Sequence, residues 1–353
     1  MSIETEKQTK DELFGLSPDG YSRFFIMTYI LGYIFRDSNE RVNVLDVGGA
    51  SVFMEQAIES SHLKIKLHIV DTLPKPKGIK SDYSMGDGTR LPFEDNSFEA
   101  VISTDTLEHI DEDKKILFIK EAIRVSRHYV IIAAPFKTTG VDIAEQKVND
   151  LNRYLFGHGQ EWLEEHFLKG KPDLQEIGRF ISDAGYEYET IGTNNLYTWL
   201  LSTQINLLEA KIGLGLGPHL KANRLYAQNI LDGGELDQPS YRTFLKINKT
   251  NQEKILDKIF AGFSINSSRS STIEYISSLI RIIATRIINM KDSAEQDAKK
   301  IENLSKELIE LKQKEEGLEK IIDSCKPYIK ARNKAIKLRN LGSHKKTVAR
   351  GDK

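Results

Sequence analysis

Two kinds of side chain in this sequence are spaced to do chemistry: acids at the ends of apolar runs, and a few histidines downstream of them. Asp46 follows the apolar run from Val42 to Leu45 and leads into Val47-Gly48-Gly49-Ala50-Ser51. Asp71 closes a second run, Leu67-His68-Ile69-Val70, 25 residues further on. Asp87 stands between Gly86 and Gly88, and Thr104 and Asp105 follow a run from Phe98 to Ser103. A strand, an acid, a glycine turn and a helix open a nucleotide-binding βα unit. The glycines let the backbone approach a ligand, and the helix start leaves free N–H donors. A carboxylate at the tip of the next strand can accept both hydroxyl bonds of a ribose. His109, His158 and His166 are candidate general bases, with Asp105 a further one. Glu161, Glu164 and Glu165 lie beside the last two histidines, but adjacent glutamates face different sides of a helix. With no zinc-type Cys/His set either, the spacing predicts no metal site.

These residues need a scaffold, and the apolar pattern supplies one. Ser17-Pro18-Asp19 reads as a helix start, an N-cap followed by proline, and the helix runs to about Phe35. Tyr21 and Arg23 near its start are within reach of a ligand carboxylate. A strand over the Val42 run precedes a helix with Phe53, Ala57 and Ile58 on one side. The second strand ends at Asp71, a third short one at Asp87, a fourth covers Phe98 to Ser103 and a fifth Tyr129 to Ala134, closed by Pro135. Near-continuous apolar strands alternating with helices predict a parallel sheet buried on both faces. Thr104 to Ile110 opens a helix. Phe136 to Gly159 reads as an insertion, followed by a short polar and aromatic helix over residues 160–167. Pro172 to Ala184 is a helix capped by Gly185, Tyr186 to Ile191 a sixth strand, and Tyr241 to Ile247 a seventh that returns antiparallel. Between them, Leu196 to Gly213 and Leu220 to Leu231 read as cap helices inserted over residues 193–239.

The set Asp46-x-Gly-Gly, Gly86-Asp87, Leu91-Pro92-Phe93-Glu94-Asp95-Asn96-Ser97-Phe98-Glu99 and Leu107-Glu108-His109 resembles the class I S-adenosylmethionine-dependent methyltransferases. The resemblance covers about residues 40 to 136. It implies an α/β fold: a doubly wound, seven-stranded, Rossmann-like sheet, with S-adenosyl-L-methionine across the carboxyl ends of the strands. By that analogy Asp46, Gly48, Gly49 and Ala50 line the methionine end and Asp71 holds the ribose. Asp87 and Gly88 hold the adenine, and Thr104 and Asp105 approach the sulfonium. The family turn has further glycines where this chain has Ala50 and Val52, which predicts a slightly different turn. The stretch His158-Gly-x-Glu-Trp-Leu-x-Glu-His166 is more loosely similar to methyltransferases of bacterial surface-glycan pathways. It sits where such folds place a lid. The expected activity is O-methylation of a polar acceptor such as a glycan sugar. A small-molecule or quinone/lipid acceptor is the alternative, and a degenerate head serving a coiled-coil scaffold is an alternative of another class.

The chain has 353 residues, a formal net charge of -1 and 39% hydrophobic residues, a low share for so long a chain. Part of it is therefore expected to be elongated and solvated. Near-neutral charge and the lack of a basic stripe argue against nucleic acid. One cysteine, Cys325, rules out an internal disulfide and fits a reducing, cytoplasmic setting. The polar stretch from Met1 to Glu12 reads as no signal, and no apolar run approaches the ~20 residues of a membrane helix.

The methyltransferase domain is expected over residues 1–250, a coiled coil over 251–326 and a basic tail over 327–353. From Ile273 apolar residues fall on a heptad. One seam holds Ile273, Ile280, Ile287, Ala294, Ile301, Leu308, Glu315 and Ile322; the other holds Ile276, Ile283, Met290, Asp297, Leu304, Leu311, Leu318 and Cys325. Only Asp297 and Glu315 break the pattern, which predicts a coiled coil and a homo-oligomer through residues 273–325. Pro327 is expected to stop the rod. The tail carries nine Lys and Arg against Asp352, with Tyr328, Ala331, Ala335 and Leu338 on one helical face. Such a helix can lie on an anionic membrane surface, which would place the protein at the inner membrane face.

Overall fold

The computed structural model describes residues 16–212, 236, 238–250, 254–260 and 270–348. The chain divides into two units, residues 1–283 and 284–353. The strands of the first unit are β1 (Val42–Val47), β2 (Ile65–Asp71), β3 (Asp82–Met85), β4 (Phe98–Thr104), β5 (Ser126–Ala134), β6 (Glu187–Asn195) and β7 (Ser240–Asn248). They form one sheet in the order β3-β2-β1-β4-β5-β7-β6. The first five are parallel, and β7 runs antiparallel between β5 and β6. The order reverses between β1 and β4, and that reversal opens a crevice at the carboxyl ends of the strands.

The helices are α1 (Pro18–Ile34), α2 (Phe53–Ser60), α3 (Lys115–Val125), α4 (Thr139–Phe156), α5 (Glu161–Lys169), α6 (Leu174–Asp183), α7 (Leu196–Ile212), α8 (Leu256–Phe260) and α9 (Ser270–Val348). Their starts follow from capping. The Ser17 hydroxyl accepts from the Gly20 N–H at 3.2 Å, Thr138 from Val141 at 3.1 Å, and Asp173 from Gln175 and Glu176. Alternate strand residues bury into opposite faces of the sheet. Val44, Ala100, Ile131 and Phe244 pack with α1 and α2 on one face, and Leu45, Val101, Ile132 and Leu245 with α3 and α6 on the other. Burial on both faces is why these strands read as unbroken apolar runs.

Several sequence expectations need correction. The third strand ends at Met85. Asp87 lies in a turn beyond it, where its Oδ1 accepts the Thr89 N–H and hydroxyl, both at 2.8 Å; that local pairing takes it out of the ladder. Leu107–His109 is a single 3-10 turn, and the helix proper starts at Lys115. The insertion after β5 contains the 18-residue α4, whose Val141, Ala144 and Val148 pack with Leu163, Leu196 and Trp199. The head does not end at Thr250. Ile255, Leu256, Ile259 and Phe260 are buried in the core beside α1, and the Ile255 and Leu256 amides donate to Glu189. The expected helix from Leu220 to Leu231 lies outside the described residues.

α9 runs unbroken through Pro327 to Val348. A proline removes one backbone donor. Its counterpart, the carbonyl of Asp323, belongs to an exposed residue that water can reach, so the helix continues. Along this helix the seam residues Ile287, Met290, Ile301, Leu304, Leu308, Leu311, Leu318 and Ile322 are 52–65% exposed. No described helix is long and apolar enough to cross a membrane.

Candidate active site

A cleft of about 550 Å³ opens at the carboxyl ends of β1 to β4. Gly48, Asp71, Asp87, Gly88, Asp105 and His109 all line it. Gly48 turns the chain with φ +81°, and a Cβ there would collide with the Thr106 side chain. At Gly49 a Cβ would strike the Asp46 carboxylate, so the turn folds tightly over that acid. Asp71 is held for display: its Oδ2 accepts from the Ala50 N–H at 3.1 Å and its Oδ1 from the Leu73 N–H at 2.9 Å. Asp46 is 1% exposed and its Oδ1 has no hydrogen-bond partner. Burial, reinforced by the nearby Asp71 charge, pushes its carboxyl up to about 7. Asp46, Gly49, Ala50 and Thr104 are not among the residues that line the cleft.

Asp105 is the node of the site. Its backbone takes the left-handed φ of +48°, fixed by its N–H to the Ala133 carbonyl at 2.8 Å. Arg242, 0% exposed on β7, donates Nε to Asp105 Oδ1 at 2.7 Å and lies 3.0 Å from Asp19. Arg23 of α1 adds a contact at 2.8 Å. Burial alone would raise the Asp105 carboxyl, but Arg242 and Arg23 outweigh it and hold it at about 2. A carboxylate so held is a poor proton acceptor, which removes Asp105 from the candidate bases.

A second cavity of about 360 Å³ shares Asp105 and His109 with the first. Arg23, Gln160, Trp162, Trp199, Asn206 and Tyr241 are among its lining. Trp199 and Tyr241 are stacked, ring centroids 3.6 Å apart. Two of the three candidate histidines meet here. His109 Nε2 and His166 Nε2 are 3.4 Å apart, although the residues are 57 apart in sequence. His109 Nδ1 faces Glu165 at 2.7 Å, and His166 Nδ1 faces the buried Glu145 at 2.9 Å. Glu145 also accepts from Lys171 at 2.7 Å and from the Tyr241 hydroxyl at 3.0 Å. Burial and the neighbouring His166 hold His109 below the usual histidine range. His158 is elsewhere, exposed, with Nδ1 against the Gly159 carbonyl at 2.8 Å. Tyr21 is buried in the core, and burial pushes its phenol up to about 12.

The sequence reading missed Glu108, Glu145, Lys171 and Arg242 as parts of this site. Arg242 carried a signal, a cation inside an apolar strand whose burial demands a partner. Glu145 and Lys171 carried none, because their meeting depends on how α4 and α5 pack.

Strand order, a glycine turn after β1 and an acid at the tip of β2 define the Rossmann-like fold of the class I S-adenosylmethionine-dependent methyltransferases. Residues 55–134 match the family model described as a methyltransferase domain. Solved structures similar to it include a putative methyltransferase from Bacillus halodurans, with 15% identity, TM-score 0.36, and coverage of 63% of this chain and 99% of that one. Magnesium protoporphyrin IX methyltransferase from Synechocystis, with bound SAH, has 11% identity, TM-score 0.39, and coverage of 65% and 85%. Phosphoethanolamine N-methyltransferase 2 from Haemonchus contortus, in complex with S-adenosyl-L-methionine, has 16% identity, TM-score 0.38, and coverage of 63% and 52%. No curated protein sequence matches the chain.

Proposed function

We propose that the chain methylates an oxygen of a polar acceptor, a sugar of a surface glycan being the acceptor class that fits best. The supporting observation is that two cavities meet at Asp105 and His109, one suited to a nucleoside cofactor and one lined by aromatic faces and polar side chains. The first fits S-adenosyl-L-methionine: it has the glycine turn at Gly48 and Gly49 and a displayed acid at Asp71. It also has Gly88, where a Cβ would press on the Phe118 ring at 2.5 Å. Asp71 would take the ribose and Asp87 with Gly88 the adenine. Asp46, Gly48, Gly49 and Ala50 would shape the methionine end, and Thr104 with Asp105 the sulfonium side. The cofactor supplies an electrophilic methyl group. What the chain supplies is mostly positioning, since an acceptor oxygen must be held in line within ~3–3.5 Å.

In the second cavity the half-buried Trp162 offers an aromatic surface of the kind sugars stack on, with Trp199 stacked behind on Tyr241. Arg23, Gln160 and Asn206 offer hydrogen bonds to hydroxyls. That polar lining favours a glycan over a quinone or lipid. His109 and His166 are the side chains placed to lower the cost of removing the acceptor's proton. Calorimetric titration with S-adenosylhomocysteine, then transfer of a labelled methyl group to a panel of glycosides and quinones, tests the reading. Micromolar binding lost in Asp71→Ala, with label on a glycoside, is expected. A folded protein that binds no S-adenosylhomocysteine would overturn it in favour of a scaffold.

We also infer that α9 pairs with α9 of a second copy. The support is a two-position heptad seam, apolar and more than half exposed along one helix. The basic stretch 328–353 suits an anionic membrane surface, and joining several tails in one oligomer would multiply a weak individual attraction.

A further inference from the structure

We propose that Glu108, His109 and His166 bind a divalent first-row transition cation, which holds and acidifies the acceptor oxygen. This deepens the acceptor-cavity reading and rests on it. One ligand atom from each of the three residues falls within 4.8 Å of the others, and all three residues border the second cavity. Hydrogen-bond partners assign the tautomers. Glu165 and Glu145 are carboxylates that accept, so both Nδ1 atoms carry the proton. In the neutral imidazoles both Nε2 atoms then present lone pairs, and they face each other at 3.4 Å. Beside them is Glu108, 1% exposed, with an Oε2 that has no hydrogen-bond partner. Two lone pairs and a buried glutamate oxygen, mutually within 4.8 Å, are a poor arrangement for an empty protein and a good one for a cation.

The spacing of the two nitrogens agrees. Two nitrogens each ~2.1 Å from a tetrahedral cation lie roughly 3.4 Å apart. The surroundings also match, because ligating imidazoles commonly donate their other N–H to a carboxylate that fixes tautomer and tilt. Here Glu165 does so for His109 and Glu145 for His166, with Lys171 and Tyr241 securing Glu145. Imidazole with one carboxylate selects transition cations over magnesium or calcium. Three protein ligands leave a position open toward the cavity, where an acceptor hydroxyl can coordinate. Coordination would polarise its O–H bond: the proton leaves to solvent, the oxygen lone pair bonds to the methyl carbon, and that carbon's bond to sulfur breaks with the electron pair staying on the neutral sulfur of S-adenosylhomocysteine.

The test uses the full chain, stripped with a chelator and titrated with Co²⁺ by visible absorption, beside calorimetry with S-adenosylhomocysteine on the same samples. Expected is one Co²⁺ per chain with the intense bands of a four- or five-coordinate nitrogen and oxygen site. Glu108→Gln and His166→Gln should each weaken cobalt binding at least ~10-fold and leave S-adenosylhomocysteine binding unchanged, since neither residue lines the first cleft. His158→Gln, which removes an exposed imidazole, should bind cobalt as the parent does. A parent that binds S-adenosylhomocysteine but no stoichiometric cobalt overturns the metal site alone, as do two variants that bind as well as the parent. Cobalt bound without S-adenosylhomocysteine overturns the methyl-transfer reading and leaves the metal site standing.

Discussion

Replacing Asp46 by asparagine should make the cofactor-free protein markedly more stable at pH 8 and change little near pH 4. Burial, with the Asp71 charge, raises the folded-state carboxyl from its ordinary 3.8 to about 7. Below pH 4 both folded and unfolded chains keep the proton, and the residue contributes nothing. As pH rises from 4 to 7, the unfolded carboxylate gives up its proton and the folded one does not. The folded state then binds more protons, so stability falls across that window and stays low above it. The gap, at 1.36 kcal/mol per pH unit, is on the order of 4 kcal/mol. For a domain of this size that is roughly 8–16 °C in melting temperature. Asparagine is nearly the same shape and cannot ionise. Melting curves at pH 5, 6, 7 and 8 without cofactor should converge at the acid end and separate steadily towards pH 8. Parallel curves for the parent and the variant would show that Asp46 ionises as freely folded as unfolded, and would refute the reasoning.

Arg242→Met should cost about 3–5 kcal/mol in denaturant unfolding, because the half-buried Asp105 is left without its main partner. Gly88→Val should reduce S-adenosylhomocysteine affinity and cost about 1–3 kcal/mol, the added atoms meeting the Phe118 ring. A chain ending at residue 283 should sediment as a monomer and still bind S-adenosylhomocysteine. One ending at residue 250 should melt far lower, since it loses the buried Ile255, Leu256, Ile259 and Phe260, worth about 1.5–3 kcal/mol each. Deleting residues 328–353 should abolish sedimentation with anionic vesicles at low salt, while the parent should lose it only as salt is raised.

The parallel strands were legible because burial on both faces turns each into a short apolar run, and because the acids Asp46, Asp71 and Asp105 end those runs at the cleft. The heptads were legible because they repeat through one helix. α4 was hidden, because its one apolar face is spread among charged residues between Thr139 and Phe156. Pro327 misled, since an exposed helix can absorb the loss of one backbone donor. The histidine pair was named as separate candidates, and only the packing of α5 on the Leu107–His109 turn joins them. Nothing in local spacing reports a meeting across 57 residues.

α5 turns two stripes of one helix to two different cavities. Glu165 and Lys169 reach the first, Trp162 and His166 the second. Glycines with positive φ, Gly157 at +85° and Gly170 at +72°, flank it. A helix that belongs to both walls makes the two occupancies a linked equilibrium. Any factor by which a ligand of the first cavity changes affinity in the second through α5 must act equally in return.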